Sequence, residues 1–184
     1  MRIADCGLRL ADCGWRIAAS LLAVWLGGAG LRAETIDRVL AVVAGQLITL
    51  SDVTAATDLG LQSPAGAADP IRAVLSKLID RELVLAEVDR YAPAEPTAEA
   101  VDRDVQRVRQ RFASAAAFTA ALTRSGIDEP HLRETLRQDL RIRAYLDQRF
   151  SAQPDRRANL VDEWMAGLRR RGDVIDLYLA GQQR

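Results

Sequence analysis

Two stretches with strand character stand at opposite ends of a chain whose middle is patterned for helices. Near the start, Ile36-Asp37-Arg38-Val39-Leu40-Ala41-Val42-Val43 is rich in β-branched residues, Ala44-Gly45-Gln46 interrupts it, and Leu47-Ile48-Thr49-Leu50 resumes it. Runs of this kind around a short break containing glycine predict a β-hairpin. Near the end, Val174-Ile175-Asp176-Leu177-Tyr178-Leu179 places Ile175, Leu177 and Leu179 on one face at period two, which predicts a strand. A lone strand leaves backbone donors and acceptors unpaired, and the only other strands are those of the hairpin. The two ends are therefore expected to meet in one small antiparallel sheet, with everything between folded against it.

Between the ends the punctuation is that of helices. Ser51 is a good N-cap and Asp52 a favourable charge for a first turn, so a short helix is predicted from Asp52 to about Leu59, ended by Gly60. Residues 62–69 are turn formers and small residues. Asp69-Pro70 then supplies an N-cap with proline at the first helical position. It opens a helix to about Tyr91 with an apolar face of Ile71, Val74, Leu75, Leu78, Ile79, Leu83, Leu85, Val88 and Tyr91. Pro93 and Pro96 break the chain. Thr97 caps a third helix with Val101, Val105, Val108 and Phe112 in one stripe, and Asp102, Arg103, Asp104, Arg107, Arg109 and Arg111 make its wet face. Ser114 caps a helix that turns Phe118, Ala121 and Leu122 inward and stops at a left-handed Gly126. Asp128 caps the next, with Leu132, Leu136, Leu140 and Ala144 on one line and Ile142, Leu146 and Phe150 on a neighbouring one. After Gln153-Pro154 a last helix carries Leu160, Val161, Trp164, Met165 and Leu168, and ends in Arg169-Arg170-Arg171-Gly172, cations suited to the negative end of a helix dipole. The fold class is thus mainly α with a small antiparallel β element, an N-terminal β-hairpin plus a C-terminal strand packed with five to six helices.

Residues 1–33 read differently. Arg2, Arg9 and Arg16 precede an apolar run, Ile17 to Leu26, that thins into Gly27, Gly28, Ala29 and Gly30 before Leu31-Arg32-Ala33. This is the layout of a secretory signal peptide, cleaved after Ala33, and the run is short of the roughly 20 apolar residues that span a bilayer. The doubled Ala-Asp-Cys-Gly at 4–7 and 11–14 is compatible with a translation start placed upstream of the true one. Cys6 and Cys13 are the only cysteines and both precede the run, so residues 34–184 hold no disulfide and depend on core burial. Losing residues 1–33 removes Arg2, Arg9, Arg16, Arg32, Asp5 and Asp12 and leaves a net charge of −2.

The composition narrows the chemistry. Aromatics are 5% of the chain, which argues against a large aromatic ligand cage. The cationic residues are arginine except for Lys77, but acids interleave with them, so no one-signed stripe suggests nucleic acid. His131 is the single histidine and falls in the first turn of a predicted helix, where a surface or capping role suits it better than catalysis. No Cys–His cluster, nucleophile motif or glycine-rich phosphate loop is present, so no catalytic, cofactor or metal residue is assigned, and the peptide-contact residues stay unassigned.

The order of pieces resembles the SurA family of periplasmic chaperones for outer-membrane proteins. It is carried by the hairpin from Ile36, by Ile48-Thr49-Leu50-Ser51-Asp52-Val53 leading into helices, by Leu78-Ile79-Asp80-Arg81-Glu82-Leu83-Val84-Leu85, by Gly126-Ile127 through Arg149, and by Trp164, Leu168, Arg169 and the strand from Val174. The resemblance implies one core module, of the SurA core or trigger-factor C-terminal kind, in which an N-terminal part, 34–150, joins a C-terminal helix and strand, 154–180. It also implies an ATP-independent holdase in the periplasm that binds unfolded outer-membrane proteins or extended apolar and aromatic peptides. Only about a dozen residues separate Phe150 from Trp164, where the family commonly carries parvulin domains, so no prolyl isomerase activity is expected. No cofactor, nucleic acid or stable membrane insertion after leader removal is expected. Homodimerisation through the hairpin stays open, as do an inner-membrane-anchored envelope scaffold and a protein related to peptidyl-prolyl isomerases.

Overall fold

The computed structural model describes residues 37–151 and 154–178. The expected leader, its cleavage point, both cysteines, Ile36 and Leu179 lie outside them. The elements run β1 (Val39–Val43), β2 (Gln46–Thr49), α1 (Leu50–Asp58), α2 (Pro70–Tyr91), α3 (Ala98–Arg109), α4 (Ala115–Ser125), α5 (Glu129–Arg149), a single 3-10 turn (Pro154–Arg156), α6 (Arg157–Arg171) and β3 (Val174–Asp176). The fold is mainly helical with one three-stranded antiparallel sheet in the order β2-β1-β3. The two ends of the described chain do share a sheet.

The hairpin turns at Ala44 and Gly45, both with positive φ (49° and 84°), the two-residue turn whose twist matches antiparallel strands. The register slips between Val39 and Ala41, and Leu40 is the extra residue of this bulge, fully buried. On the far side of β1, Ala41, Val42 and Val43 face Asp176, Ile175 and Val174. The ladder is extended by Ala44 N–H donating to the Asp173 carbonyl (2.9 Å) and Leu177 N–H to the Leu40 carbonyl (3.0 Å).

β3 departs from its prediction in length and in face. It spans three residues instead of reaching Leu179, and Ile175 and Leu177 point outward, 54% and 38% exposed. Cross-strand partners share a face, and Ala41 and Val43 define the inner one, so the opposite residues Asp176 and Val174 lie inward. The chain leaves the strand with Tyr178 N–H donating to Asp176 Oδ1 (3.1 Å), and the Tyr178 ring is buried with its hydroxyl on the carboxylate of Asp69 (2.9 Å). An aromatic that can satisfy its polar tip takes the core position that the aliphatic pattern had suggested for its neighbours.

Helix starts follow local capping chemistry. Asp69, Thr97, Ser114 and Asp128 each accept a bond from the backbone three residues on, and Gly126 closes α4 at φ 70°. The predicted Ser51 cap is displaced. Thr49 caps α1, because Thr49 and Asp52 form a reciprocal capping box: Thr49 N–H donates to Asp52 Oδ2 (2.8 Å) and Asp52 N–H to Thr49 Oγ1 (3.3 Å). Four other predicted placements change. Ile71, Tyr91 and Ala144 are exposed, and Asp104, read as wet, is only 5% exposed because Arg107 (2.6 Å) and Arg143 (2.8 Å) neutralise it.

The interior is two apolar clusters. The first lies under the sheet and includes Leu40, Val43, Leu75, Val84, Val88, Tyr145, Leu168 and Tyr178. The second lies among α1, α3, α4 and α5 and includes Leu59, Val105, Val108, Phe118, Leu122, Leu132 and Leu136.

Candidate functional site

A cleft of about 280 Å³ opens along the seam of the two clusters, between β2, α1, α2 and the first half of α5. One wall is apolar: Ile48, Ala56 and Leu78 come from the first cluster and Leu61, Ile127 and Leu132 from the second. The other side is polar, because two helices turn polar stripes toward each other. On α2, Arg81 and Glu82 stand three and four residues after the apolar Leu78 and share its face; on α5, His131, Glu134, Thr135, Gln138 and Asp139 share one face at the same steps.

Arg81 is the hub of that side. Its side chain is 14% exposed, Nε donates to Asp139 Oδ1 (2.8 Å), Nη1 to Glu82 Oε1 (2.6 Å), and Nη2 to Gln138 Oε1 (2.9 Å) and the Thr135 carbonyl (3.2 Å). Burial opposes its charge, but Asp139 and Glu82 outweigh burial and hold the guanidinium protonated above its ordinary range. Burial pushes the Glu82 carboxyl up from the usual carboxylate range; Arg81 pulls the other way, and the charges of Asp52 and Asp139 add to the rise.

The rim of the cleft is β2 itself, with Gln46, Leu47 and Ile48 along it and Leu47 60% exposed. Among the described residues no strand pairs with the outer side of β2. Such an arrangement can hold an extended chain through backbone bonds, apolar contact and charge.

A second surface lies at the far end of α2 and α5. Tyr91, Tyr145, Phe150 and Trp164 form a chain of tilted or edge-on ring contacts with centroids 5.6–6.0 Å apart, and the Arg149 guanidinium sits over the rings of Tyr145, Phe150 and Trp164. Tyr91 is 62% exposed there and forms the open end of the shelf.

His131 lies at the cleft mouth, exposed, with its backbone N–H on the Asp128 cap (2.9 Å). Among the described residues no group of three or more His, Cys, Asp or Glu is placed to hold a metal ion, and no helix is long and apolar enough to cross a membrane. The sequence assigned no contact residue, and Leu47, Arg81, Glu82 and Asp139 emerge only from the fold. For Asp139 a signal was present in the stripe 131, 134, 135, 138, 139, which reads as a solvated face until α2 is set opposite. The chain matches no protein-family model and no curated protein.

Proposed function

We propose that this chain is an ATP-independent periplasmic chaperone of the SurA kind, exported by residues 1–33 and lacking an isomerase unit. It acts as a holdase that shields extended apolar segments of unfolded outer-membrane proteins. The observation that carries the reading is the cleft: an apolar wall drawn from both clusters, beside a strand whose outer side is unpaired among the described residues. An unfolded chain offers apolar side chains and unsatisfied backbone together, and a surface that meets both competes with aggregation. The joining of head and tail in one sheet supports it too, being the arrangement that the family resemblance implies. Light scattering from an unfolded outer-membrane β-barrel diluted out of denaturant tests the proposal. Suppression of scattering by the protein is expected, and none at a several-fold molar excess overturns it.

A further inference from the structure

We propose that the cleft takes its segment as a fourth strand added along β2, and that segments alternating apolar residues with lysine or arginine fit it best. This rests on the peptide-binding reading above and goes further by fixing the segment's conformation and side-chain class.

The conformation follows from the hairpin. Val43 and Gln46 flank a two-residue turn and so form a hydrogen-bonded pair, which makes Leu47, opposite Val42, a position whose N–H and C=O point away from β1. The other side of β1 has the same parity, since the bonds of Leu40 and Ala44 go to Leu177 and Asp173 of the β3 side. Thr49, the next outward position on β2, has its N–H taken by Asp52. Leu47 thus sets the register: one residue of an incoming strand exchanges both backbone bonds with it.

The side-chain class follows from the two faces of that added strand. The residue opposite Leu47 extends the exposed row Leu47–Val42–Ile175 on the outer face of the sheet, where Leu47 and Ile175 are more than half exposed, so it is apolar. Its two neighbours point the other way, into the cleft. There the carboxylates of Asp52, Glu82 and Asp139 line the cleft beside one guanidinium, Arg81, which bonds Glu82 and Asp139 and whose nitrogens are all engaged, while Asp52 accepts from Thr49 and Glu134 is paired with Arg137. A lysine or arginine lays its aliphatic stem on the apolar wall and brings its charge to the surplus carboxylate.

Fluorescence anisotropy with the full-length protein and short labelled peptides tests this. Peptides alternating Val with Lys, Val with Glu and Val with Ser are compared, together with the Val/Lys peptide N-methylated at its valines. The Val/Lys peptide should bind about tenfold or more tightly than Val/Glu, and methylation should weaken it about tenfold. The double variant Glu82→Gln/Asp139→Asn should bring the Val/Lys preference within about threefold. Equal binding of the three peptides overturns the side-chain class, and undiminished binding of the methylated one overturns strand addition, in both cases without touching the holdase reading. Failure of every peptide in a protein that still suppresses aggregation overturns this inference alone; failure of both overturns the two together.

Discussion

The core under the sheet gathers Leu40 and Val43 from the head of the described chain, Leu75 and Val88 from α2, and Leu168 and Tyr178 from its tail. The second core draws Leu59 from the end of α1 and Val105, Phe118, Leu122, Leu132 and Leu136 from the stretch between residues 105 and 136. The first cannot form until the two ends meet, so its stability is that of the whole module; the second, drawn, apart from Leu59, from residues 105–136, can open while the sheet stays closed. The cleft lies on the seam, so a loosening of the second core moves one wall of the cleft and leaves the other in place. The contrast predicts a rigid β2 rim and an adaptable wall at Ile127 and Leu132.

The largest expected effect breaks this contrast at its stronger end. Leu40→Ala, at a fully buried position, should cost about 2–5 kcal/mol in urea unfolding as a single transition. Leu132→Ala, equally buried, removes the same group from the second core and should cost about 2 kcal/mol. Hydrogen exchange sharpens the comparison: in the Leu132 variant, protection should fall in α3 and α4 and persist in β1 and α2. A uniform fall would mean that the two cores open as one.

Gly172, between α6 and β3, tests the joint of the tail. A Cβ there would stand 2.9 Å from the Leu168 carbonyl and run into the Leu83 side chain. Gly172→Ala should therefore cost about 1–3 kcal/mol by overpacking, read as a drop in the urea midpoint. Thr97→Ala, which removes the cap of α3 on the other side of the contrast, should cost about 1 kcal/mol and act within the second region.

The same contrast explains what was legible. Caps at Asp69, Thr97, Ser114 and Asp128 and the stop at Gly126 could be read because each is decided within four residues. The meeting of the ends could be read because a strand needs a partner. Which face of β3 turns inward could not: Ile175, Leu177 and Tyr178 are all apolar enough to qualify, and the choice fell to Asp69, more than 100 positions away, which accepts the Tyr178 hydroxyl. Thr49 and Ser51 are both good caps, and Asp52 at the third helical position settled it for Thr49. The cleft was the least legible part, since Arg81 and Asp139 are ordinary surface letters until two helices face each other.

The smallest effect bears on the seam. Burial raises the Glu82 carboxyl above the 4.5 it has when exposed in the unfolded chain, more than Arg81 lowers it. In the window from 4.5 up to that raised value the folded state binds the proton more readily than the unfolded state, so this group's contribution to stability falls as pH rises through the window. Glu82→Gln cannot ionise but keeps an oxygen for the Arg81 Nη1 bond (2.6 Å in the parent protein). Relative to the parent, the variant should gain stability progressively as pH rises above 4.5 and then level off, as followed by urea midpoints across that range. A variant less stable than the parent at neutral pH would show that the ion pair with Arg81 outweighs the burial of the Glu82 carboxylate.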